Sequence, residues 1–130
     1  MLRILSRRSL VLSMASVTVA GVLPGTATAA LFPDRRVLLM IEELGCPYCA
    51  RWKRDVEQAY RNSLEGRVAP LEIIMMSDPR VRALKAVVYS PTFILLDHGQ
   101  EVGRIIGYTS ADFFWGEIEN LFARSGFRRQ

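Results

Sequence analysis

The chain has 130 residues, half of them apolar and 23% charged, with 17 basic residues against 13 acidic ones and a formal charge of +4. That length allows a single domain. Three of the arginines and no acid fall in residues 1–29, so the remainder carries only +1, and the high isoelectric point is no argument for nucleic-acid binding.

Residues 1–29 read as an export segment rather than as part of the domain. Arg3, Arg7 and Arg8 precede an apolar run from Leu10 to Leu23. Pro24-Gly25 then breaks any helix, and Ala27-Thr28-Ala29 fits a signal-peptidase site. The run is short for a membrane span and contains Ser, Thr and Gly. Ser6-Arg7-Arg8-Ser9-Leu10-Val11 partly resembles a twin-arginine export signal. Either export route puts residues 30–130 outside the cytoplasm, as one 101-residue domain large enough for a modest core.

Within that domain Val37 to Ile41 is apolar throughout, as expected of a central strand buried on both faces. Glu42 to Gly45 forms a loop into Cys46-Pro47-Tyr48-Cys49, which holds the only two cysteines. A helix is expected from Cys46 to about Asn62, with Cys49, Trp52, Val56, Ala59 and Tyr60 on its inner face and Gly66 ending the unit. Leu71 to Met76 is a second strand, parallel to the first because a helix separates them. Asp78 caps a short helix from Arg80 to Ala86, with Pro79 at its first position.

Phe93 to Asp97 is a third strand, headed by Pro91. The turn Asp97 to Gln100 joins it to an antiparallel fourth strand, Glu101 to Ile106, and His98 reads as a solvated turn residue. Thr109 and Asp112 fit a capping box for a last helix from Ala111 to about Arg124. Phe114, Trp115, Ile118, Leu121 and Phe122 form its apolar face, and Gly126 stops it. No repeat, linker or low-complexity segment interrupts this order.

The chemistry concentrates at the cysteine pair. A sulfur in the first turn of a helix meets unpaired amide N–H groups and the positive end of the dipole. Cys46 is therefore expected to ionise below the free thiol value of about 8.5 and to act as a nucleophile. Cys49, one turn deeper, is placed to attack a mixed disulfide formed on Cys46. Two blander readings exist. A zinc site needs four ligands, and only His98 is available beyond the pair, so no metal or other cofactor is expected. A purely structural disulfide closing so short a loop would stabilise little.

The order β-α-β-α-β-β-α, with C-x-x-C at the first strand–helix junction and Ser90-Pro91-Thr92 heading the third strand, resembles the thioredoxin superfamily. The resemblance implies an α/β fold with a central mixed four-stranded sheet flanked by helices, and a cis-proline at Pro91. It also implies that Ser90, Pro91 and Thr92 meet the substrate, through backbone pairing at Ser90, and that Gly45, Pro47 and Tyr48 form the active-site loop. Gly45 to Trp52, Ser90 to Phe93, Glu101 to Ile105, Gly107-Tyr108 and Asp112 to Trp115 are similar to the SoxS-type periplasmic thioredoxins of sulfur-oxidising bacteria. That implies a periplasmic reductase of protein disulfides, acting on a sulfur-carrier protein and fed by a membrane thiol–disulfide donor.

Two features depart from the pattern. Met40 stands where thioredoxins usually carry a buried aspartate, leaving Glu42 or Glu43 as possible substitutes. Pro47-Tyr48 is the glutaredoxin dipeptide. An oxidase or isomerase, a glutaredoxin-like protein and a non-catalytic binding module of the same fold are the alternatives.

Overall fold

The structure, a computed structural model, describes residues 30–127. The export segment expected over 1–29 lies outside the described residues, as does the tail 128–130. Among the described residues no helix is long and apolar enough to cross a membrane.

Four strands form one mixed sheet: β1 (Arg36–Glu42), β2 (Leu71–Met75), β3 (Thr92–Asp97) and β4 (Gln100–Ile106), in the order β2-β1-β3-β4. β1 pairs parallel with β2 and antiparallel with β3, and β3 pairs antiparallel with β4. The period-two alternation of a strand explains why β1 is apolar at every position from Val37 to Ile41. Leu38 and Met40 face one core with Trp52, Tyr60, Phe93 and Phe114. Val37, Leu39 and Ile41 face the other with Leu31, Ile74, Ile94 and Leu96. Having layers on both faces fixes β1 in the middle and aims its end, at Glu42, toward the cysteine loop.

Residues 47–62 follow as a nearly continuous helix: α1 (Pro47–Trp52), a five-residue π turn (Lys53–Glu57) and α2 (Gln58–Asn62). The wider π turn winds the later part of the helix back. Cys49, Trp52, Val56 and Tyr60 come into one buried stripe, and Ala59, expected inside, is exposed. Tyr60 donates its hydroxyl to the Ala69 carbonyl at 2.8 Å.

Gly66 does not end the helical unit. It is buried inside α3 (Leu64–Val68), a short helix capped by Ser63, whose hydroxyl accepts the Gly66 N–H at 3.0 Å. A Cβ at Gly66 would overlap the Tyr60 carbonyl oxygen, so the position requires glycine for close approach.

After β2, Asp78 caps as expected, accepting the Arg80 N–H at 2.9 Å. The segment is a 3-10 turn, Pro79–Ala83, and not a helix to Ala86. None of its residues is fully buried, and a segment this short without a buried face does not propagate.

The last helix, α4 (Ala111–Ser125), is capped by Ser110, which accepts the Phe113 N–H at 3.2 Å. The Thr109–Asp112 box does not form, because Ser110 at the cap leaves Asp112 one position short of the place from which it could reach back. Phe114, Ile118, Leu121 and Phe122 are buried; Trp115 is half-buried and stacks on Tyr60 at 6.1 Å. Gly126, left-handed at φ 69°, ends the helix.

Candidate active site

The site forms where β1 runs into α1 and where the chain enters β3. Ile41 and Thr92 are partners in the sheet register, so these two junctions lie side by side. His98 sits beyond the Arg36–Asp97 pair, at the opposite end of the same strands, exposed and 2.7 Å from an Asp97 carboxylate oxygen.

Gly45 turns the loop at φ 76°, a left-handed conformation that costs a glycine little. Cys46 is the N-cap of α1, not a first-turn residue. The cause is Pro47, which occupies the first helical position and holds its predecessor in the extended region. At the cap, the Cys46 sulfur accepts the Cys49 N–H at 3.3 Å, so it takes up one of the amides that the helix leaves unpaired. Burial alone would push the Cys46 thiol up, but hydrogen bonds from Cys49 and Ser90 and from backbone amides outweigh that and hold it below its ordinary value.

Cys49 is 2% exposed and packs with Met40 and Trp52. Burial first, and then the hydrogen bond and charge of Cys46, push its thiol up to about 11. Both cysteines are free. One sulfur is thus ionisable and accessible, while the other is held back as a thiol one turn deeper.

Ser90 touches both. Its carbonyl lies 3.5 Å from the Cys46 sulfur, as the acceptor of that thiol when it is protonated. Its hydroxyl lies 3.0 Å from the Cys49 sulfur and accepts the Glu43 N–H, also at 3.0 Å. The Ser90–Pro91 bond is cis. Pro91 is buried, and its carbonyl accepts the Gly107 N–H at 2.8 Å. Thr92 is 1% exposed and donates its hydroxyl to the Tyr89 carbonyl, so its side chain braces the loop from inside. Residue order singled out Ser90 for its backbone; the hydroxyl contact emerges only in three dimensions.

Glu42 does not reach for Cys49. It pairs with Lys53 at 2.6 Å along a cleft that Cys49 also lines. The Glu43 side chain is exposed, and that residue contributes its amide instead. On the other side of Cys46, Tyr48, Tyr89, Ile106 and Phe113 are 53%, 65%, 56% and 42% exposed and line a shallow apolar groove with Ser90 and Tyr108. Chemically, an accessible thiolate backed by a withheld thiol suits thiol–disulfide exchange.

A family model described as a thioredoxin-like domain matches residues 26–122. Among solved structures, the chain is similar to the periplasmic thioredoxin SoxS from Paracoccus pantotrophus in its reduced form. The two are 38% identical over 70% of this chain and 99% of that one, with a TM-score of 0.66. A thioredoxin from Thermus thermophilus is 24% identical over 71% of this chain and 77% of its own, with a TM-score of 0.56. Trxlp from Edwardsiella tarda is 24% identical over 65% and 82%, with a TM-score of 0.54. These last two speak to the fold alone. No curated protein sequence matches the chain significantly.

Proposed function

The chain belongs to the thioredoxin-like domain family, and on that premise we propose that it is an exported thiol–disulfide oxidoreductase that reduces protein disulfides in the periplasm. The reading rests on one observation: two free thiols at the head of one helix, shifted in opposite directions. The Cys46 thiolate attacks a substrate disulfide and forms a mixed disulfide, releasing the first substrate sulfur as a thiolate that takes up a proton. Cys49 then loses its proton and attacks the Cys46 sulfur. The Cys46–Cys49 bond forms, and the second substrate sulfur leaves and is protonated. The substrate gains two electrons, and a membrane thiol–disulfide donor returns them to the pair.

Likeness to a periplasmic thioredoxin supports the compartment, with residues 1–29 removed on export. The SoxS-like motifs support a sulfur-carrier protein as substrate. Insulin reduction with dithiothreitol tests the activity. Wild type should accelerate turbidity and Cys46→Ser should abolish it, whereas Cys49→Ser should accumulate covalent mixed disulfides. No acceleration by wild type would leave a non-catalytic binding module. A redox titration sets the direction: a potential near about −270 mV fits a reductase, and one near about −120 mV an oxidase.

A further inference from the structure

Cys49 must become a thiolate to finish the reaction, yet it lies in an apolar pocket. Met40 and Trp52 pack in its cluster, and both are fully buried. Along its cleft Glu42 is paired with Lys53 at 2.6 Å, the Glu43 side chain is exposed, and Cys46 is the group whose charge bears on the Cys49 thiol. Among the described residues, the side-chain oxygen that hydrogen-bonds the Cys49 sulfur is the Ser90 hydroxyl, at 3.0 Å.

We propose that the Ser90 hydroxyl is a working part of the resolving step: it holds the Cys49 sulfur in place and donates a hydrogen bond to the thiolate that forms there. This rests on the dithiol mechanism given above.

The donor count favours it. A serine hydroxyl has one proton and room to accept two hydrogen bonds. The Glu43 N–H fills one acceptor position at 3.0 Å, which orients the oxygen and leaves the hydroxyl proton free to be aimed at sulfur. While Cys49 is protonated, its S–H can point at the second acceptor position. Once the proton is gone, the O–H turns round and donates to the thiolate, a charge-assisted bond stronger than the one it replaces. The contact therefore survives the change of state and favours the charged one, without a buried carboxylate.

Timing adds to this. While Cys46 is a thiolate, its charge and hydrogen bonding hold Cys49 protonated. Forming the mixed disulfide removes that charge, leaving burial opposed by the Ser90 hydroxyl and, after it, by the Glu43 backbone amide. The proton that Cys49 releases to solvent is matched by the one the departing substrate thiolate takes up, so the step balances. Ser90 thus meets both reacting sulfurs, Cys46 through its carbonyl and Cys49 through its hydroxyl.

The test measures Cys49 directly. In a Cys46→Ala background, the Cβ shift of 13C-labelled Cys49 is titrated with Ser90, Ser90→Ala and Ser90→Thr. Losing a hydrogen bond to a charged group should raise the Cys49 midpoint by about one pH unit or more, and threonine should restore it. With Cys46 intact, release of thionitrobenzoate from the Cys46 mixed disulfide gives the resolving rate. Tenfold fewer thiolates, partly offset by their greater nucleophilicity, should slow Ser90→Ala about threefold, again with rescue by threonine. Should the alanine variant fail to fold, Ser90→Thr against Ser90→Val isolates the hydroxyl at nearly constant shape. An unmoved Cys49 midpoint, or a threonine variant as impaired as the one without a hydroxyl, overturns the proposal. Failure of wild type to reduce insulin, with the midpoint shift present, instead overturns the oxidoreductase reading and leaves the Ser90 contact standing.

Discussion

The opposite shifts of the two thiols predict which one an alkylating reagent finds first. Cys46 ionises below the ordinary 9.0, so at pH 7 about one molecule in a hundred or more carries its thiolate. Cys49, pushed up to about 11, carries one in roughly ten thousand. That is at least about a hundredfold difference in reactive form. The scarcer thiolate is intrinsically more nucleophilic, by about tenfold for two units of basicity, so the net preference is about tenfold or more. Burial of Cys49 at 2% exposure widens it further. The reduced protein is treated with limiting iodoacetamide at pH 7, quenched at intervals and mapped by peptide mass. Cys46 should be modified at least about tenfold faster, and its rate should rise with pH with a midpoint below that of an ordinary thiol. Modification of Cys49 at an equal or greater rate would refute the division of labour drawn from the cap geometry.

Three further outcomes follow from the packing. Tyr60→Phe strips the Ala69 carbonyl of its partner at 2.8 Å and should cost about 1–3 kcal/mol, a fall of roughly 5–15 °C in the melting temperature. The same variant carries a pH signature. Burial raises the Tyr60 phenol above its ordinary 10.0, so its contribution is complete below that value and is lost as pH climbs past it. Wild type should therefore lose stability above pH 10 more steeply than Tyr60→Phe in urea melts, and parallel slopes would refute this. Gly66→Ala sets a helix-propensity gain of about 1 kcal/mol against overlap with the Tyr60 carbonyl, with the Arg61 carbonyl a further 3.2 Å contact. Because the obstacle is backbone, the clash should win and the melting temperature should fall; a rise would show that α3 moves freely. Gly103→Ala would drive a methyl into the Leu121 side chain between β4 and α4. Leu121 is flexible enough to move in part, so the loss should be smaller, about 1–3 kcal/mol by thermal melt.

β1 and β3 were legible as apolar runs between turn signals, whereas β4, with Gln100, Glu101 and Arg104, was legible from the short turn that precedes it. The burial of β1 on both faces follows directly from the lack of polar positions between Val37 and Ile41. The departures share one cause, which is that local pattern does not report what lies across the fold. A stripe at three- and four-residue steps admits both Ala59 and Tyr60, and only the π turn decides between them. Gly66 resembles a stop signal until the Tyr60 carbonyl is seen against it. Thr109 and Ser110 are both good caps, and the choice falls to the one whose hydroxyl meets the Phe113 N–H. At the site, the cysteine pair and the Ser90 loop could be read from order alone. The bond between the Ser90 hydroxyl and the Cys49 sulfur spans 41 positions and has no local signature. Its only hint was Met40, an apolar residue at a place where an acid was expected.

An insertion or deletion inside a regular helix rotates everything beyond it by about 100°. The stretch Lys53–Glu57 escapes that penalty, since it already stores one surplus residue as a wide loop of backbone. A chain shortened by one position there closes up to ordinary helical pairing, with Cys49 and Tyr60 still turned inward. Length can therefore drift at this point over evolutionary time without disturbing the reactive end of the helix or its anchor.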